Sequence, residues 1–373
     1  MTLDIQLNKQ SLRGILSGQP SISDQLNSVC RKLEFTVKQA DGLENYLGQP
    51  IELWYAGKRW FFGFVFKKGI ADNGEFSYTA YDPLYFMKKA PGDYYIKNMT
   101  ATQGFLYLAA QVGIAVGPIA GTSVVFPALY YQNAEADKVA IDLLARTYKA
   151  SGEKYWFRFE PGTERFGLQV FPRIVPKELW SFQVGINLTA ARSESSIEET
   201  CTVVRLVNRE TGKTVTKVNT EALKSFGNLM HFEEVDKEEA DTMDAKAQEL
   251  LTKLSIVKTT MSIEGTNPYQ AIPQLYSGDV IYVEEAVTQL VGAYHILNIT
   301  QTFLSDNLVT LAMDIQEAPD IPVIQYEDAT TDPKAEAAKS ATKSSAKTKA
   351  GTGVQENAPH NAAVDALITK YGL

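Results

Sequence analysis

Apolar and polar residues alternate with a period of two over residues 34–38, 51–55, 59–66 and 76–81, which predicts β-strands with one buried face. Ala56-Gly57-Lys58 and Asp72-Asn73-Gly74 interrupt these runs with residues that tolerate positive φ, so the strands should be antiparallel neighbours joined by hairpins. After Met99 the spacing becomes helical. Thr100 can cap a helix whose Phe105, Leu108, Ala109 and Val112 share one face, and Gly113 stops it. A second helix is expected over 137–148, with Val139, Ala140, Leu143 and Leu144 turned inward, followed by a hairpin of 154–159 with 166–171 around Pro161-Gly162. Alternation returns at 202–208 and 214–219 around Glu210-Thr211-Gly212. A helix is then expected over 237–254, and strands resume at 259–264, 280–283, 294–303 and 308–314.

Two stretches of this pattern echo one another. Gly48 opens the run Gln49-Pro50-Ile51-Glu52-Leu53, Gly63 opens Phe64-Val65-Phe66, and a third strand ends at Asp82. In the same order, Gly278 opens Asp279-Val280-Ile281-Tyr282-Val283, Gly292 opens Ala293-Tyr294-His295-Ile296, and a third strand ends at Asp314. The physical reading is two copies of one small antiparallel β-barrel, with Gly48, Gly63, Gly278 and Gly292 at turns or close backbone approaches that leave no room for a Cβ.

Beyond Pro322 the chain loses its large apolar residues, so residues 323–361 cannot offset chain entropy by burial and are expected to be a disordered linker. The last segment, 362–373, restores a helical stripe of Val364, Leu367, Ile368 and Tyr371. So short a helix should form only when docked, which marks those four residues as a candidate partner-docking face.

The chemistry-bearing residues are sparse. Cys30 and Cys201 lie far apart without a CxxC spacing, and His231, His295 and His360 have no metal-ligand spacing, so no catalytic, metal or cofactor site is expected. Cys201 sits in a strand-like run, away from the helix N-terminus that would activate a thiol. The acidic pairs Glu233-Glu234, Glu238-Glu239 and Glu284-Glu285 could supply two carboxylates for a peptidoglycan hydrolase, but neighbours on a strand point opposite ways and those on a helix diverge. A net charge of −8 disfavours nucleic-acid binding, and no run of apolar residues is long enough for membrane insertion. The first residues carry no basic, apolar leader, so the chain is expected to be made in the bacterial cytoplasm. A carbohydrate-binding or distal-tail component is the remaining alternative, with Trp54, Trp60, Tyr94 and Tyr95 stacking on sugar instead of lying in barrel cores and subunit contacts.

The order of barrel, helical insert, barrel and low-complexity tail resembles the baseplate-hub family of contractile phage tails, the XkdQ/YqbQ-like proteins of PBSX-type elements. The likeness covers residues 1 to about 320 and is carried by the stretches TAYDPLYFMKKAPGDYYIKNMTATQGFLYLAAQVGI, LKSFGNLMHFEEVDKEEADTMDAKAQELL, SGDVIYVEE and GAYHILNITQTF. The resemblance implies a mainly β chain in which two tail-tube-like antiparallel β-barrel domains, 1–95 and 195–322, flank a small α+β insert domain, 96–194. It further implies a homotrimer in the baseplate of a phage or of a diffocin-like bacteriocin particle, with the tail tube protein above and the spike below. Tape-measure protein, wedge proteins or a cell-wall hydrolase are the candidate partners for the C-terminal segment.

Overall fold

The computed structural model describes residues 3–317 except 27, 29, 39–45, 163–164, 171–178, 237–241 and 267–273. The expected linker and the stripe of Val364, Leu367, Ile368 and Tyr371 lie outside the described residues, as does the start of the expected helix 237–254. Two compact units are present, Met1–Ala190 with Ile263–Leu373 as one and Ala191–Ser262 as the other.

The larger unit begins with β1 (Asp4–Leu7), β2 (Gln10–Ser11), β3 (Ser21–Gln25), β4 (Lys32–Lys38), β5 (Pro50–Tyr55), β6 (Lys58–Ile70) and β7 (Glu75–Tyr81). Alternation places Leu33, Phe35 and Val37 of β4 and Ile51, Leu53 and Tyr55 of β5 on the buried face. Then come α1 (Tyr85–Lys88), β8 (Pro91–Thr100), α2 (Ala101–Val112), β9 (Val125–Glu135), α3 (Ala136–Ser151), β10 (Tyr155–Glu160) and β11 (Arg165–Val170). Thr100 caps α2 as expected: its hydroxyl accepts from the Gln103 N–H at 3.3 Å, the Gln103 side chain accepts from the Thr100 N–H at 2.9 Å, and Gly113 closes the helix at φ +76°. Gly104 lets α2 approach α3, since a Cβ there would stand 2.6 Å from Leu143 Cδ1. The core of this insert joins Phe105, Leu108, Val139, Leu143 and Phe159.

The chain continues with β12 (Trp180–Gln183) and β13 (Leu188–Ser196), whose far end belongs to the smaller unit. That unit holds β14 (Val203–Val207), β15 (Thr214–Val218), α4 (Thr220–Phe226), β16 (Met230–Glu234) and α5 (Met243–Leu254). Its sheet runs β15-β14-β16, antiparallel then parallel, and Val204 and Leu206 pack on Met243, Ala247 and Leu251 of α5. The chain returns through β17 (Lys258–Thr266) to β18 (Val280–Glu285), β19 (Leu290–Ser305) and β20 (Leu308–Glu317).

Strand order reveals the repeat. One half reads β3-β4-β7-β6-β5-β1 and the other β13-β17-β20-β19-β18-β12, the same six chain-order positions in the same spatial order. They differ in that β1 is antiparallel to β5 while β12 is parallel to β18. β3 pairs with both β4 and β19, Ser21–Gln25 lying antiparallel to residues 298–302, so the halves share one continuous sheet. The expected second β domain, 195–322, is therefore divided: its first part forms the smaller unit, and the second repeat draws β12 and most of β13 from the segment expected to be insert. Alternation is equal in both sheets and does not report which sheet a strand joins.

Candidate functional site

The hydrogen bonds around the repeated turns fix the correspondence between halves. Gly48 N–H donates to Val65 O at 2.8 Å and Val65 N–H to Gln49 O at 3.1 Å; Gly278 N–H donates to Ile296 O at 2.7 Å and Ile296 N–H to Asp279 O at 2.9 Å. Both turns also bond back to a tyrosine, Gln49 N–H to Tyr46 O and Asp279 N–H to Tyr276 O, and both glycines have positive φ, +79° and +88°. A β-bulge follows each anchor, after Val65 against β7 and after Ile296 against β20. Gly48 and Gly278 are thus equivalent. Gly63 and Gly292 are not: Gly63 faces Ile51, whose counterpart Ile281 faces Tyr294, whereas Gly292 faces Val283. Gly63 instead admits the Tyr81 carbonyl, which a Cβ would meet at 2.2 Å, and Gly292 takes φ +149° with nothing within 4 Å. Asp82 and Asp314 also differ, since Val65 faces Ala80 and Ile296 faces Ile315, which aligns Asp314 with Thr79.

Where the repeats meet, aromatic and charged side chains interlock. Tyr55, Trp60 and Phe303 pack edge to face with ring centroids 5.2–5.5 Å apart. Two guanidinium groups stack on the Tyr276 ring, Arg158 at 3.6 Å and Arg31 at 4.7 Å from its centroid. Asp82 accepts the Arg31 and Leu84 N–H groups at 2.9 and 3.0 Å, Asp24 accepts the Ser277 N–H at 3.0 Å, and Asp279 pairs with Arg158 at 3.2 Å. Arg31 also donates to the Trp60 carbonyl at 3.1 Å. Asp24, Arg31, Asp82, Arg158 and Tyr276 line a small pocket with Trp156. Burial is its main electrostatic fact: it pushes the Asp82 carboxyl up to about 7, against the opposing hydrogen bond and charge of Arg31, and raises Asp279 as well.

A carboxyl raised in the folded state favours folding below its ordinary value, and that contribution is lost as pH rises through about 7. His295 acts oppositely, because desolvation lowers its pKa and the fold must hold it neutral as pH falls. Asp82→Asn cannot titrate, so its stability relative to wild type should rise between pH 5 and pH 8 by up to about 3 kcal/mol. Urea unfolding midpoints at both pH values measure this.

Neither of the two described acidic pairs forms a carboxylate dyad. Glu233 and Glu234 face opposite sides of β16. Burial acts to raise the Glu233 pKa, but hydrogen bonds from Lys246, at 3.0 Å, and His231 outweigh it and hold the carboxyl low. Glu284 accepts from Gln183 at 2.9 Å, while Glu285 is held low by the Thr288 hydroxyl and the N–H groups of its own turn. Glu238 and Glu239 lie outside the described residues. Burial raises the thiol pKa of both Cys30 and Cys201, the opposite of the shift that activates a nucleophilic thiol. Among the described residues no group of three His, Cys, Asp or Glu side chains could hold a metal ion, and no helix is long and apolar enough to cross a membrane. Of the aromatic residues weighed for sugar stacking, Trp60 and Tyr94 are buried, Trp54 is half-buried and bonded to Glu52, and Tyr95 is exposed opposite Tyr130.

A model of one protein family, described as YQBQ-like, matches residues 21–316, from the start of β3 to the penultimate residue of β20. The chain belongs to the YQBQ-like family. The phage-like element PBSX protein XkdQ of Bacillus subtilis (strain 168) is 26% identical over 262 residues, covering 68% of this chain and 78% of that protein. Among solved structures, the 43 kDa tail protein of prophage MuSo2 from Shewanella oneidensis superposes with a TM-score of 0.62 at 16% identity, covering 86% of this chain and 100% of the other. The E. coli c3393 protein superposes with a TM-score of 0.51 at 10% identity, over 87% of this chain and 78% of the other. It is described as a component of the type VI secretion system with structural similarity to T4 bacteriophage tail proteins gp27 and gp5. This YQBQ-like chain is mainly β with a few helices and shares its fold with phage tail proteins. The buried charged cluster gave no signal in the sequence, because its members are spread from Asp24 to Asp279 without a repeating interval.

Proposed function

We infer that this chain is a structural subunit of a phage or phage-like tail and, more finely, the baseplate hub: a homotrimer that presents six similar six-strand modules to the tail tube and three-fold symmetry to the spike. The observation that carries the reading is the repeat itself, six strands in one spatial order occurring twice in a chain. Two such modules per polypeptide convert three copies into a six-module ring, and the unlike insertions in the two halves leave the outside three-fold. Family membership and the fold shared with prophage tail proteins agree with a building role.

Light scattering or native mass spectrometry of the purified chain at assembly concentrations should give three copies. Six copies would indicate a distal ring instead, and a strict monomer would defeat the hub reading. A zymogram on cell wall should show no clearing, whereas a band of lysis would favour the hydrolase. The apolar stripe of Val364, Leu367, Ile368 and Tyr371 on its long polar tether is proposed to dock a neighbour: spike, wedge, tape-measure protein or hydrolase. Deleting 355–373 should leave three copies together but remove one protein from purified particles, and unchanged particle composition would reject docking.

A further inference from the structure

Among the described residues, the sheet of the smaller unit is covered on one face only. Val204 and Leu206 of β14 and Val215 of β15 pack toward α5, so the alternate residues of the same strands point away from it. On that second face Val218, Val203 and Met230 form one row across the three strands, and Thr216, Arg205 and Phe232 form the next. Val218 is 43% exposed, Met230 51% and Phe232 54%, and Arg205 beside them is exposed with no ion-pair partner among the described residues. Apolar side chains gathered in this way around an unpaired charge suit an amphipathic element of opposite charge.

The chain itself carries such an element. The start of β4 lies beside the end of β7, Lys32 against Tyr81, and β17 and β20 hold those two positions in the second repeat. The equivalence brings the end of β20 next to the start of β17, the strand through which the smaller unit rejoins the larger sheet. From Glu317 the chain runs about 46 residues to Val364, a tether whose ends average about 35–40 Å apart. A unit the size of Ala191–Ser262 is about 30 Å across, so the open face lies within reach of that tether. As a helix, residues 362–373 would run about 18 Å, which matches the five-residue strands at about 17 Å. Asp365 flanks the apolar stripe and is opposite in charge to Arg205.

We propose that in the free chain residues 362–373 dock on this face of their own smaller unit, laying Val364, Leu367, Ile368 and Tyr371 across Val218, Met230 and Phe232 with Asp365 toward Arg205. The sheet then lies between α5 and the docked segment. Tethering gives the segment a millimolar effective concentration, so it occupies a face that would hold the free peptide only weakly. This seat rests on the reading of the stripe as a docking face, and it keeps the apolar side chains covered until a neighbour in the particle competes for them.

Hydroxyl-radical footprinting of the purified full chain tests the seat, because Met230 and Phe232 carry oxidisable side chains. Leu367→Glu combined with Ile368→Glu should raise oxidation of both at least about threefold over wild type, the factor expected once the tethered concentration is about twice the dissociation constant. Tyr95, exposed on the larger unit, should not change. Equal oxidation of Met230 and Phe232 in the two chains would overturn the seat. Met230→Cys or Phe232→Cys is also paired with Leu367→Cys or Ile368→Cys, oxidised and digested. At least one pair should link the two segments within one chain, while each new cysteine alone, beside native Cys30 and Cys201, gives no such link. Links found only between chains, or from no pair, would reject docking on the chain's own unit. Particle composition after deleting 355–373 is read separately: a protein lost from particles without protection of Met230 and Phe232 would leave the stripe to its neighbour alone.

Discussion

Replacing Arg31 with alanine is expected to destabilise the larger unit by about 3–5 kcal/mol, read as a lowered urea midpoint with an unchanged slope. Arg31 is 4% exposed, and its loss removes the bond to the Trp60 carbonyl, the stack on Tyr276 and the positive charge beside Asp24 and Asp82. The buried carboxylates keep their desolvation cost without that compensation. Arg13 is the control. It pairs with Asp306 at 2.5 Å, closer than Arg31 lies to Asp24 at 4.0 Å, yet its side chain is 49% exposed. Arg13→Ala should therefore cost less than about 1 kcal/mol. Equal losses at the two sites would show that burial does not set the energy of the cluster.

Gly278→Ala should cost about 2–4 kcal/mol, and Gly48→Ala only about 1 kcal/mol, although the two glycines occupy the same turn of the two repeats. Both have positive φ, so both substitutions meet the same backbone strain. Their surroundings differ: a Cβ at Gly278 would stand 2.8 Å from the Trp156 ring, while at Gly48 nothing lies within 4 Å. The strain term is common and the collision term belongs to Gly278 alone. Thermal or urea unfolding of the two variants separates them, and indistinguishable losses would mean that Trp156 moves aside without cost.

Much of the fold was legible because local chemistry decided it. The Thr100 cap, the Gly113 stop and the hairpins at Gly57 and Gly74 depend on a few adjacent residues, and each occurs where those residues place it. The repeat was legible at Gly48 and Gly278 for the same reason, since positive φ leaves a glycine in the sequence. Its second anchor slid by two residues, from Tyr294 to Gly292, because a shift of two keeps every side chain on its own face and alternation cannot register it. Domain limits failed more broadly. Val203 to Val207 and Ile263 both read as ordinary strand, yet the first belongs to the smaller unit's own sheet and the second to the shared one. The buried cluster depends on residues from β3, β10 and the turns before β4, after β7 and before β18 meeting in space, and no interval in the chain encodes that meeting.

The smaller unit leaves through β13 and returns through β17, two strands that lie side by side, with the Ser195 and Thr259 hydroxyls 3.1 Å apart. An insertion whose two ends emerge side by side could be lengthened, trimmed or replaced without rethreading the sheet from which those ends spring.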